Sequence, residues 1–216
     1  MYESLINYPH ITDYLRTNIS PLENEVWELE KELRSKEKLP IIKPESARFL
    51  SFLCGLQKPK KILEIGACVG FSALLMRSVC PSDTRITTID RYDYMISRAK
   101  ENFKRFGADN ITLLEGQAAD ILPSLSDKYD LIFLDAAKGQ YPAFLPHCLR
   151  LLSDDGVFIA DNILFDGLVA ECSRSSRRDM TIVKRLRSFL ETLVNDENLV
   201  TSIIPIGDGM VAVRKK

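Results

Sequence analysis

From Lys60 onward the chain repeats one pattern: a short apolar run ending in an acidic residue, a glycine or both, then a stretch with helical periodicity. The runs are KKILEIG, TRITTID, NITLLEG, YDLIFLD and DGVFIAD, and the helical stretches cover Phe71 to Val79, Tyr92 to Phe106, Ala118 to Leu125 and Tyr141 to Leu152. Parallel strands need long crossover connections, so this alternation predicts a mostly parallel sheet with helices on both faces, an α/β fold. In an open sheet of that kind ligands bind beyond the carboxyl ends of the strands. The residues just after the runs therefore matter most: Glu64, Gly66, Asp90, Gly116, Asp135 and Asp161.

A later helix, Arg177 to Val194, spaces Ile182, Leu186, Phe189, Leu190 and Leu193 for burial. LVTSIIPI and MVAVRKK, joined by GDG, predict an antiparallel pair that closes the sheet edge. Before the alternating part the chain reads as helices over Tyr2 to Thr17, Pro21 to Lys38 with Ser20 as N-cap, and Pro44 to Leu56. Val26, Leu29 and Leu33 form an apolar stripe on the second. At 216 residues this predicts a single domain, with residues 1–40 as a helical appendage to a catalytic core over 41–216.

No apolar run is long enough to span a bilayer, and the N-terminus lacks the basic and apolar segments of a secretory signal, which points to the cytoplasm. Five widely spaced cysteines without a C-x-x-C pair argue against zinc or redox chemistry. A net charge of -1 excludes a surface coated in positive charge, leaving only local basic patches as sites for nucleic acid.

LEIGACVGFSALL puts Glu64 and Gly66 at the end of the first strand, and Gly70 and Ser72 at the start of a helix. Glycines permit tight turning and close ligand approach, and free N–H groups at a helix start suit an anionic group. The spacing is not the G-x-G-x-x-G of dinucleotide sites, which disfavours a nicotinamide cofactor. Asp90, ending the second strand, is placed to accept hydrogen bonds from ribose hydroxyls; its alternative use is as a cap for the next helix. With the glycine turn it predicts a nucleoside-containing cofactor whose adenine lies beside Gln117 and Ala118.

Asp135 ends the fourth strand, and Asp161 with Asn162 ends the fifth. Carboxylate and amide oxygens on neighbouring strand ends suit a hard divalent cation such as Mg2+, although strand-end acids also cap helices. The chain has only 2 histidines, against a histidine-rich zinc or iron site. Lys138 follows Asp135 by three residues, close enough for a bound dication to disfavour its ammonium form and make it a general base; a solvated helix-start lysine is the alternative.

Four separated motifs, LEIGACVGFSALLM, LIFLDAAKGQY, VFIADNILFDG and IIPIGDGM, together resemble the cation-dependent class I S-adenosylmethionine O-methyltransferases, the group that contains the catechol and caffeoyl-CoA enzymes. The resemblance runs from about Ile41 to the C-terminus. It implies a Rossmann-like methyltransferase sheet and a methionine-end contact at Glu64, Gly66 and Ser72. It further implies a ribose acid at Asp90, a divalent cation (Mg2+ or a substitute) at Asp135, Asp161 and Asn162, with Asp135 also facing the cofactor, and a base at Lys138. Homodimers are common in that family. DAAKGQY, LFDGLVAE and IIPIGDG resemble most the bacterial branch that methylates 5-hydroxyuridine at the wobble position of tRNA.

A catechol and a 5-hydroxyuridine both present neighbouring oxygens on adjacent sp2 carbons, so the site chemistry does not separate a small phenolic from a tRNA anticodon loop. The segment after the fifth strand carries Arg174, Arg177, Arg178, Lys184, Arg185 and Arg187. Arg177 with Lys184, and Arg178 with Arg185, share a helix face that could follow phosphates, or simply face solvent. Arg16, Lys36, Lys38 and Lys43 are possible extensions of that patch. A nicotinamide-dependent oxidoreductase and a binding module without activity are the readings from other classes.

Overall fold

The computed structural model describes residues 6–19, 25–36, 39–173 and 176–216. Ser20, Lys38 and Arg174 lie outside the described residues, as do the side chains of Lys36 and Arg178. Seven strands form one sheet: β1 (Lys61–Ile65), β2 (Arg85–Asp90), β3 (Ile111–Glu115), β4 (Tyr129–Leu134), β5 (Leu152–Ala160), β6 (Leu199–Ile204) and β7 (Met210–Lys215). Their order is β3-β2-β1-β4-β5-β7-β6. The first five run parallel, and β7 pairs antiparallel with both β5 and β6. This is the α/β sheet that the alternation predicts and the Rossmann-like form that the resemblance implies, and GDG makes the final reversal.

Burial explains the runs. Ile62, Leu63, Ile65, Leu131, Ile132, Phe133 and Leu134 are buried because central parallel strands are covered on both faces, so apolar residues need not alternate with polar ones. On one face lie α2 (Glu25–Lys36), α3 (Pro44–Gln57), α4 (Phe71–Val79) and α5 (Asp93–Arg105). Val26, Leu29 and Leu33 of α2 join the same apolar cluster as Leu50, Phe71 and Leu75. The sequence stripe is thus a core-facing one. The other face is covered by α6 (Ala118–Ile121), α7 (Tyr141–Leu151) and α8 (Arg177–Asn195), where Tyr141, Phe144, Phe158 and Phe189 form the second cluster.

Several boundaries move for local reasons. Among the described residues the first helix, α1 (Pro9–Thr17), starts at Pro9, and Tyr2 lies outside them. A residue before proline is driven out of the helical region, and Tyr8 is extended at φ -56°, ψ 138°. The stretch from Ala118 to Leu125 splits into α6 and a 3-10 turn over Leu122–Ser124, because Pro123 has no N–H to continue an α-helix. β5 begins at Leu152, three residues before DGVFIAD, with a register shift opposite Tyr129/Leu131. No helix among the described residues is long and apolar enough to cross a membrane.

Candidate active site

A cavity of about 320 Å3 opens at the carboxyl ends of the parallel strands. Gly66, Ser72, Asp90, Gln117, Ala118, Asp135, Lys138 and Asn162 all line it. The sequence motifs, spread over a hundred residues of chain, therefore converge because they terminate adjacent strands.

At the nucleoside end, Asp90 holds the floor together. One carboxylate oxygen accepts from the N–H groups of Arg91 and Tyr92 at 2.7 and 3.0 Å, the other from the N–H of Cys68 at 2.7 Å. Asp90 does not cap α5, whose N-cap is Tyr92 without a side-chain bond. The oxygen facing Cys68 keeps one lone pair for a further donor, and the three backbone bonds fix the direction in which the carboxylate points. Arg91 stacks its guanidinium on the Tyr92 ring at 4.7 Å and donates to the Gln117 side-chain oxygen at 3.0 Å. Neither arginine nor tyrosine is flagged by any sequence motif; only the structure brings them to the cavity wall.

Gly66 sits at φ 109°, and a Cβ there would stand 2.0 Å from the carbonyl oxygen of Asp135. Glycine is required at this crossing of β1 and β4 ends by both conformation and space. Glu64 lies within β1 rather than after it, and it is fully buried behind the cavity wall. Its carboxylate accepts from the Thr88 hydroxyl at 2.5 Å, and its second oxygen has no hydrogen-bond partner. Burial pushes its pKa up to about 7, against the opposing influence of Ser72 and Thr88.

At the chemical end Asp135 and Asp161 follow neighbouring strands. Burial raises Asp135 to about 6, with Lys138 pulling the other way. Asp161 is raised well above the carboxylate range by burial and by the charge of Asp135. One Asp161 oxygen accepts from the Asn162 N–H at 2.7 Å, while Oδ2 is buried with no partner. Asn162 holds φ at 59°, a left-handed conformation that re-aims the chain after β5. Among the described residues no three His, Cys, Asp or Glu side chains form a metal cluster by themselves. A cation here needs the Asn162 amide oxygen beside two carboxylates. A buried acid with an orphaned oxygen, close enough to a second acid to feel its charge, fits a hard cation: it would neutralise the repulsion and satisfy that oxygen.

The structure adds two residues that the sequence motifs leave without a role. The buried hydroxyl of Tyr141 donates to the Asp161 carbonyl at 3.0 Å. Asp208, between Gly207 and Gly209 at φ 64° and 82°, accepts from the Asp166 N–H at 2.6 Å and adds to the negative charge felt by Asp161. The GDG turn within IIPIGDGM is the signal that points to it.

The basic helix face divides. Arg177 and Lys184 are exposed and have no ion pair among the described residues. Arg185 instead donates to the Gly139 carbonyl at 2.9 Å, and Arg187 to the Val169 carbonyl at 2.7 Å. Arg16, away from that helix, forms a two-pronged pair with Glu45 at 3.0 Å on each prong. Arg185 and Arg187 of the helix, and Arg16 outside it, are thus already engaged by the protein.

Sheet order, glycine crossing and a cavity beyond the strand ends fit a Rossmann-like, S-adenosylmethionine-dependent methyltransferase. The chain belongs to the O-methyltransferase family, whose model matches residues 18–216. A Mycobacterium avium (strain 104) protein bearing the O-methyltransferase name is 30% identical over 174 residues, covering 79% of this chain and 77% of that one. The catechol O-methyltransferase of Niastella koreensis is 32% identical over 135 residues, 60% of this chain and 61% of that one. The crystal structure of the Podospora anserina methyltransferase PaMTH1, bound to S-adenosylhomocysteine, superposes with a TM-score of 0.84 at 27% identity, covering 96% of this chain and 94% of that one.

Proposed function

We propose that this enzyme transfers the methyl group of S-adenosylmethionine to a hydroxyl that has a second oxygen on the adjacent carbon, with a divalent cation, Mg2+ or a substitute, as cofactor. One observation carries the reading: Asp135, Lys138 and Asn162 line the same cavity as Asp90, and the buried Asp161 directly precedes Asn162. Asp90 orients the ribose, Gln117 and Ala118 flank the adenine, and Gly66 with the first turn of α4 receives the amino-acid end. Glu64 lies buried beneath, held by the Thr88 hydroxyl of β2. Asp135, Asp161 and Asn162 would hold the cation, whose Lewis acidity favours the ionised form of the acceptor hydroxyl. Lys138 takes the acceptor's proton on its amine, and the apolar cavity wall keeps water from competing. S-adenosylmethionine supplies the electrophilic methyl, and the cavity holds the acceptor oxygen in line with it.

For the acceptor we favour 5-hydroxyuridine at the wobble position of tRNA. The motif likeness points there, and it is supported by exposed Arg177 and Lys184 on α8, a helix that reaches the turn bearing Lys138 through Arg185. A free catechol is the second reading, favoured by the Niastella relative and by the internal engagement of Arg185 and Arg187. Incubation with methyl donor, Mg2+ and either 5-hydroxyuridine tRNA or a catechol panel decides between them. Methylated catechol with untouched tRNA removes the first reading, and full activity of Asp135→Ala in the presence of chelator removes the cation. A homodimer belongs to the same proposal; a light-scattering mass of about 24.5 kDa removes it.

A further inference from the structure

Lys138 does not sit on a regular element. It opens a three-residue 3-10 turn, Lys138–Gln140, between β4 and α7. Such turns have few and poorly aligned internal bonds. Here they are the Gln140 N–H to the Ala137 carbonyl at 2.8 Å and the Tyr141 N–H to the Lys138 carbonyl. The bond from Arg185 to the Gly139 carbonyl comes from outside, from a helix distant in sequence.

The far end of that tie is rigid. Leu186 and Phe189 of α8 are fully buried, and the Phe189 ring meets Tyr141 edge-on at 5.5 Å and Phe158 at 6.3 Å. The near end is shaped for it: a Cβ on Gly139 would come within 3.3 Å of the same Arg185 nitrogen, closer than packing normally allows. A cation donating to a carbonyl is among the stronger kinds of hydrogen bond, and a short turn with one anchored carbonyl has little freedom left.

We propose that Arg185 is a positioning residue for Lys138: its guanidinium, braced by α8, holds the Gly139 carbonyl so that the neighbouring amine faces the acceptor. This rests on Lys138 acting as the base. It also removes Arg185 from the set of phosphate contacts. Displacing a reacting group by about 1 Å can lower a rate by ~100-fold, so a loosened turn should cost kcat far more than cofactor binding.

The test uses the full chain with Arg185→Ala, Arg185→Lys and Lys138→Met. For Arg185→Ala the expected results are faster amide hydrogen exchange over residues 138–141 and a kcat lowered ~10- to 100-fold on catechol and on 5-hydroxyuridine tRNA alike, with affinity for S-adenosylhomocysteine kept within about twofold. Arg185→Lys, which can still donate one bond, recovers part of both. Unchanged exchange in Arg185→Ala overturns the proposal even if neither acceptor is turned over. So does a loss confined to the tRNA KM while catechol turnover is unchanged, which is the signature of a phosphate contact. Full kcat in Lys138→Met with exchange still faster in Arg185→Ala marks a different failure, that of Lys138 as the base.

Discussion

The Tyr141 hydroxyl, at the first residue of α7, donates to the main-chain carbonyl of Asp161 at 3.0 Å. One buried bond therefore joins the helix that follows Lys138 to the strand end that carries Asp161 and Asn162. Removing it leaves a buried carbonyl without its donor, at a cost of about 1–3 kcal/mol. Tyr141→Phe should lower the unfolding free energy by that amount in urea titrations. It should also weaken Mg2+ binding measured by calorimetry, because the backbone of Asp161 loses its brace.

Gly66→Ala is expected to be among the most damaging single changes. The added methyl would stand 2.0 Å from the Asp135 carbonyl, at a φ of 109° that other residues rarely adopt. Backbone must move at both the cofactor turn and the Asp135 loop, so a loss above about 4 kcal/mol is expected, in the range reserved for overpacking and strained backbone. Soluble yield and thermal unfolding report it. A folded variant with native affinity for S-adenosylhomocysteine is the opposing result.

Glu64 sets a pH dependence. Its folded pKa of about 7 lies above the ordinary 4.5 of a glutamate, so the folded state holds the proton through that window while the unfolded chain releases it. Its contribution to stability is fully present below about pH 4.5 and is lost as pH rises through about 7. The loss is up to about 3 kcal/mol, at 1.36 kcal/mol per unit. Glu64→Gln should flatten that part of the profile and leave the protein without added ligand more stable than wild type at pH 8. Chemical denaturation at pH 5, 6.5 and 8 compares the two slopes.

Arg177 and Lys184 carry the charge test of the tRNA reading. Each phosphate contact contributes close to one unit to the slope of log affinity against log salt, ~0.7 for single-stranded RNA. The double change Arg177→Ala, Lys184→Ala should reduce that slope by about 1.5 and leave unfolding free energy within about 0.5 kcal/mol. Arg187→Ala, by contrast, should act on stability, since its guanidinium is bound to the Val169 carbonyl.

What was legible in the sequence follows from what each signal encodes. Central strands are buried on both faces, so continuous apolar runs ending in Glu64–Gly66, Asp90, Asp135 and Asp161 marked the strand ends, and strand ends meet at one edge. The start of β5 was not legible: Leu152 continues the apolar spacing of α7, and only its pairing with Tyr129 assigns it to the sheet. Helical periodicity placed Arg177, Lys184 and Arg185 on the outer part of α8. It could not tell that Arg185 reaches a carbonyl 46 residues earlier, because the reach of a long side chain depends on which loop lies beside the helix. Arg91 and Asp208 escaped for the same reason: each acts through a neighbour brought there by topology, Gln117 in one case and Asp166 in the other.

The placement of β7 between β5 and β6 has a consequence for how the enzyme is made. The turn after Asn162 is pinned by bonds from Ile163 N–H to the Gly209 carbonyl and from Leu164 N–H to the Asp208 carbonyl. The last strand in sequence is an interior strand of the sheet, so the loop beside the acids takes its final shape only once β7 lies between β5 and β6. A chain interrupted before Asp208 would therefore lack the two carbonyls that hold Ile163 and Leu164 in place.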